Sequence, residues 1–148
     1  MKIIDGGVTA AKGFKAAGMH AGIKKGTKKD MAMIVSSAPC MAAGTFTTNL
    51  VKAAPVKWDQ HVVYEHGEAR AVVVNSGIAN ACTGAEGYGY CEETAKAAAE
   101  ALGIDKDEVL VASTGVIGKQ LPIDTIKKGV KDLSGLLLDT REAATLAA

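Results

Sequence analysis

Two stretches of this chain share one pattern: an apolar, β-branched run that ends abruptly in small polar residues and glycine. Residues 69–84 read ARAVVVNSGIANACTG and residues 107–118 read DEVLVASTGVIG, the second strand expected over Asp107–Ala112. Short runs of this kind, bounded by turn residues, read as buried strands. Loops at strand ends are where α/β proteins place their ligands. The pattern therefore predicts an α/β fold, with whatever chemistry the chain carries gathered at the ends of these two strands.

The rest of the chain is consistent with that class. Residues 31–35, MAMIV, lie between charged residues and a Ser-Ser pair and read as another buried strand. Residues 44–48, GTFTT, are β-prone, and residues 61–64, HVVY, read as a strand joined to the 69–75 run by a hairpin turn at Gly67. The Gly-, Ala- and Lys-rich stretch 6–26 reads as loop with short strand segments, because its glycines oppose a stable helix. It contains neither a GxxxxGK[ST] nor a GxGxxG pattern, so phosphate cradling is not indicated.

A helix is expected from about Cys91 to Leu102, with Glu92 and Glu93 in its first turn and Gly103 as its stop. Ala95, Ala98, Ala101 and Leu102 would form its narrow apolar face. Pro122 marks the start of a second helix, in which Ile123, Ile126, Val130 and Leu133 share one face. A third begins near Asp139 or Thr140 and is still running at Ala148, so the natural sequence is expected to continue beyond residues 1–148 or a second chain to complete the fold.

Composition narrows the function. Hydrophobic residues make up 48% of the 148 and charged residues 22%, which opposes disorder. With 17 basic and 16 acidic residues the net charge is +1, giving no electrostatic reason to propose nucleic acid. Cys40, Cys82 and Cys91 form no CxxC pair and read as reduced thiols. His20, His61 and His66 lack metal-ligand spacing, so no metal site is expected. Residues 1–7 lack the apolar core of a signal peptide, and no run of about 18 apolar residues is present. A cytoplasmic protein without membrane contact is the expectation.

Neither a Ser-His-Asp nor a Cys-His set can be assigned, and no GxSxG elbow occurs. The two strand-end turns remain. In residues 113–118, STGVIG, a Thr114 hydroxyl and a Gly115 amide aimed at one point would form an oxyanion hole. An ordinary turn stabilised by Ser and Thr accounts for the same residues. In the other turn, Asn75, Ser76, Asn80 and Thr83 either hold a carboxylate or satisfy one another.

Resemblance adds to this reading. The segments GGVTAAKGFKAAG, GIKKGTKKDMAMIVS, AAGTFTTNLVKAAPV, ARAVVVNSGIANACTG and VLVASTGVIGKQLPID occur in one order along the chain. On these segments it resembles the N-terminal (alpha-chain) portion of the bifunctional ornithine acetyltransferase / N-acetylglutamate synthase family, the glutamate N-acetyltransferases. The resemblance implies a layered α/β sandwich of the self-cleaving ornithine acetyltransferase / aminopeptidase type. It implies arginine biosynthesis, by acetyl transfer from N-acetylornithine to glutamate through an acetyl-enzyme. The nucleophile would be a Thr exposed by autocatalytic cleavage at the start of a C-terminal beta chain, in a hetero-oligomer of alpha and beta chains. Thr114 and Gly115 match the family's oxyanion-hole pair and are the catalytic residues expected here. No cofactor is implied, with acetyl-CoA as a co-substrate in bifunctional members.

Two departures from the family pattern stand out. Ile78 occupies a position where the family's loop has Asn, and the Asn-Met-Ala-Thr cleavage text is absent. Thr145, in AATLAA, lacks that context and is not assigned as the nucleophile. On this reading residues 1–148 are inactive alone. A related self-cleaving aminopeptidase and a non-catalytic fragment or binding module of the same fold are the competing readings.

Overall fold

The computed structural model describes residues 6–148. Four strands form one sheet in sequence order: β1 (Phe14–Met19), β2 (Met31–Met41), β3 (Glu68–Ile78) and β4 (Val109–Val116). β1, β2 and β3 are mutually antiparallel, whereas β3 and β4 run parallel. A parallel neighbour needs a crossover, and the long helix α2 (Gly84–Leu102) supplies it. The other helices are α1 (Ala54–His61), α3 (Ile123–Ser134) and α4 (Arg141–Ala147).

Strand alternation divides the core. Ala17, Met33, Ala71, Val73, Val109 and Val111 are buried with Trp58 of α1, Ala95 and Ala98 of α2, and Ile126, Val130 and Leu133 of α3. On the other face α4 packs across β1, so closely that a Cβ on Gly18 would lie 1.8 Å from the Leu146 carbonyl oxygen. There the β3–β4 positions Val72, Val74, Leu110 and Ala112 are only half-buried. The α/β layering expected from the sequence is the architecture found.

Several local expectations give way to tertiary context. Residues 61–64 are helical, because α1 continues through a π-helical turn at Val62–His66. Val62 is fully buried beneath it, so its hydrophobicity serves a helix face. Gly67 has the left-handed conformation expected, at φ 82°, but it closes that turn rather than a hairpin. Residues 44–48 form no strand, and Asp107 and Glu108, expected to open the last strand, lie instead in a 3-10 turn at Lys106–Glu108 capped by the Asp105 side chain. α2 starts at Gly84, not Cys91, so Glu92 and Glu93 sit mid-helix and Glu86 is the first-turn acid. Its apolar face includes Ala95 and Ala98, while Ala101 is exposed. α3 and α4 begin where expected, α4 on a Thr140 side-chain cap to the Ala143 amide.

Candidate functional site

The two glycine-bearing turns meet. In the parallel ladder Asn75 faces Ser113, Ser76 faces Thr114, Gly77 faces Gly115 and Ile78 faces Val116. The texts Asn-Ser-Gly and Ser-Thr-Gly are thus aligned residue for residue. Both glycines have positive φ, 117° at Gly77 and 131° at Gly115. A Cβ on Gly115 would lie 2.3 Å from the Gly77 carbonyl carbon and 2.6 Å from the Ile78 nitrogen. Only glycine permits both this conformation and this approach. The identity of Gly115 therefore has a packing reason independent of any chemistry.

Thr114 lies at the exposed end of β4, and its hydroxyl has no hydrogen-bond partner among the described residues. By strand alternation its side chain shares a face with Ser76, Val74 and Ala112. Ser76 and Val74 line an open cleft of about 190 Å³ with Lys24, Lys29, Asp30 and the end of α4. Gly115 is likewise exposed. The sequence-predicted pair is therefore presented together, at the C-terminal end of the parallel strands.

On the opposite face, Asn75 is only 4% exposed. Its Nδ2 donates to the Ile78 carbonyl at 2.9 Å and its Oδ1 accepts from the Ser113 hydroxyl at 2.5 Å. Further along, the Thr83 hydroxyl donates to Asn80 Oδ1 at 2.6 Å. Asn80 Nδ2 donates to the Gly87 carbonyl at 2.7 Å and to the Cys91 sulfur. Of the polar residues in this turn, Asn75, Asn80 and Thr83 satisfy one another or their surroundings, and only the Ser76 hydroxyl has no partner among the described residues. Ile78, where the resembled family carries Asn, points into the core at 5% exposure and offers its carbonyl to Asn75.

Asp30 braces the other side of Gly77. Its buried carboxylate accepts from the Ala21 amide at 2.6 Å and the Lys24 amide at 2.8 Å. His20 Nδ1 lies 3.2 Å from it. Burial opposes ionisation of Asp30, but the amides of Lys24, Ala21 and Ile23, with His20, outweigh it and hold its pKa below the usual 3.8. The loop so pinned presses Ile23 and Lys24 against Gly77, while the Asp30 carbonyl accepts from the Ser76 amide at 2.8 Å. The sequence reading missed this brace, and no spacing announces it: the contacts join residues 21–30 to residue 77.

Buried Cys91 is no competing nucleophile. All three cysteines are free thiols. Burial, then the nearby Asp59, push the Cys91 thiol up to about 12, far from the thiolate a nucleophile needs. Thr145 spends its hydroxyl on the Arg141 carbonyl. Among the described residues no group of His, Cys, Asp and Glu could hold a metal ion, and no helix is long and apolar enough to cross a membrane.

The sequence pattern of the ArgJ family matches residues 15–147. The chain belongs to the ArgJ family. The arginine biosynthesis bifunctional protein ArgJ of Gloeobacter violaceus is 51% identical over 98% of this chain and 36% of its own length. The chloroplastic ArgJ of Zea mays is 43% identical over 99% of this chain and 32% of its own. The chain thus spans about a third of the curated ArgJ relatives it matches. In the crystal structure of ArgJ from Bacillus halodurans the fold superposes with a TM-score of 0.92 at 41% identity, covering 99% of this chain and 75% of that one. The ornithine acetyltransferase of Mycobacterium tuberculosis, solved in complex with ornithine, gives 0.92 at 44% identity, over 97% of this chain and 77% of that one. Four strands, four helices and their order are therefore those of the ArgJ fold.

Proposed function

We propose that this chain supplies the oxyanion-stabilising part of an ArgJ-type glutamate N-acetyltransferase, which moves acetyl from N-acetylornithine to glutamate in arginine biosynthesis. The observation that carries the reading is the Thr114–Gly115 pair: a free, exposed hydroxyl beside a glycine that lies close against the Gly77 backbone of the neighbouring strand. Family membership supports the substrate class, as does the ornithine bound to the Mycobacterium tuberculosis relative. The nucleophile is a threonine outside these residues, at the start of a second chain. The coverage figures support two chains: residues matching 36% of a curated relative match 75% of a solved chain.

The chemistry follows from those parts. A threonine hydroxyl is a weak nucleophile, and an N-terminal amine with a pKa of about 8 is suited to take its proton. Attack on the acetyl carbonyl places negative charge on oxygen, and the Thr114 hydroxyl and Gly115 amide donate to it. The tetrahedral species collapses with loss of ornithine, whose amine takes up a proton, leaving an acetyl ester on the nucleophile. Glutamate's amine attacks that ester through the same oxyanion site, and the hydroxyl is restored. No metal or redox group enters these steps, and acetyl-CoA would serve as an alternative acetyl donor in a bifunctional enzyme. The cytoplasm is the compartment we propose for it, the Zea mays relative being chloroplastic.

The test is Thr114→Ala in the assembled enzyme. Removing one oxyanion donor should slow acetyl transfer on the order of a hundredfold, with assembly and KM little changed. A wild-type rate would reject the assignment.

A further inference from the structure

An oxyanion hole works only if its donors are already aimed, and a misplacement of about 1 Å costs on the order of a hundredfold in rate. The end of the β3–β4 ladder is a poor place to achieve such rigidity. Parallel pairing is the weaker kind. Gly77 and Gly115 face each other and leave no side chains to pack across the strands. Something other than the ladder must hold Thr114 and Gly115 in place.

We propose that Asn75 and Ser113 are positioning residues, forming a cross-strand clamp that aims the Thr114–Gly115 pair. This rests on the oxyanion reading above. Asn75 and Ser113 are direct partners in the ladder, one step before Ser76 and Thr114 and two before the glycine pair. The Ser113 hydroxyl reaches Asn75 Oδ1 across the strands at 2.5 Å. The other end of the same amide reaches over Gly77 to the Ile78 carbonyl at 2.9 Å. A carbonyl only accepts, so Nδ2 must face Ile78 and Oδ1 must face Ser113, which makes Ser113 the donor. One buried amide therefore ties β4 just before Thr114 to β3 just beyond Gly77. The Ala79 amide closes the far side by donating to the Val116 carbonyl at 2.9 Å. Residues 114 and 115 lie between these two ties.

The clamp faces the helices, and Thr114 faces the other way. Asn75 and Ser113 cannot touch an acetyl group bound at Thr114, and they act through the backbone alone. Losing the Ser113 hydroxyl leaves Asn75 Oδ1 buried without its donor and lets the strand ends relax.

The experiment is steady-state kinetics on the assembled enzyme with N-acetylornithine and glutamate, normalised to active sites by acetyl-enzyme burst. Ser113→Ala should lower kcat about tenfold with KM within about twofold. Ser113→Thr keeps the hydroxyl and should return kcat to within about threefold of wild type. In the double variant with Thr114→Ala, the combined loss should fall short of the product of the single losses, because both act on one site. A wild-type kcat in Ser113→Ala, with Thr114→Ala slowed, overturns the clamp and leaves the oxyanion reading standing. A wild-type rate in Thr114→Ala overturns the reading itself. If Ser113→Ala does not assemble, Ser113→Cys, with its weaker donor, takes its place; there an undiminished kcat overturns the clamp and an intermediate loss supports it.

Discussion

At Gly115 two requirements coincide. The residue has φ 131°, and an added Cβ would fall 2.3 Å from backbone of the neighbouring strand. Neither is relieved by moving a side chain, so Gly115→Ala should distort or unfold the β3–β4 end whatever the chemistry. We expect thermal melting and catalysis to fail together in that variant, whereas Thr114→Ala should lose rate and keep its melting temperature. Finding Gly115→Ala as stable as wild type would contradict the strand contact. Asn75 teaches a related point. In the sequence it is a polar residue on a turn, as ready to bind a carboxylate as to bond its neighbours. The fold buries it and uses both ends of its amide.

Among the elements, α2 and α3 show how similar glycines differ. Gly89 lies inside α2 with nothing within 4 Å of an added Cβ. Gly89→Ala should stabilise the chain by about 0.5–1 kcal/mol, since the helix gains propensity and meets no obstacle. Gly129 of α3 sits against the sheet, where a Cβ would meet the Met31 sulfur at 2.4 Å and Ala21 at 3.0 Å. Gly129→Ala should destabilise despite the same propensity gain, and chemical denaturation of the two variants would separate them. From the sequence, Gly129 registers only as a weak point in a helix. Its close approach to β2 shows why α3 carries it. α1 is read wrongly from pattern for an analogous reason. Its β-branched end, Val62–Val63, suits a strand by propensity, but Trp58 buries its ring and donates to the Val109 carbonyl at 2.8 Å. That anchor commits the segment to a helix against the start of β4.

For the whole molecule, pH sets a global test. Asp59 accepts from the Val111 amide, yet burial outweighs that bond and raises its pKa from 3.8 to about 6. The folded state then holds a proton that the unfolded chain has released. Asp59 therefore costs stability progressively as pH rises from about 4 to about 6, and the cost is complete above that. Asp30 has the opposite sign: its lowered pKa contributes stability above the usual 3.8 that is lost as pH falls further. Asp59→Asn keeps the acceptor for Val111 and removes the charge, so it should raise Tm at pH 7 and lose that advantage near pH 4. An equal shift at both pH values would show that desolvation of Asp59 is not the cause. At this scale the division between sequence and structure is also clearest. The alternation and β-branching of residues 69–75 and 109–112, the glycines after them, and the three-four-three spacing of α3 specify strands, turns and a helix locally, because period and propensity are properties of neighbouring residues. They were enough to give the α/β class and to draw notice to the two strand-end turns, while choosing Thr114 and Gly115 within them took the likeness to the acetyltransferase family. Which strand lies beside which is not a local property. Only the crossover through α2 set Asn-Ser-Gly against Ser-Thr-Gly, and only the antiparallel pairing of β2 with β3 brought residues 21–30 over Gly77. Those contacts span dozens of residues, and their energies exist only once the chain has closed on itself.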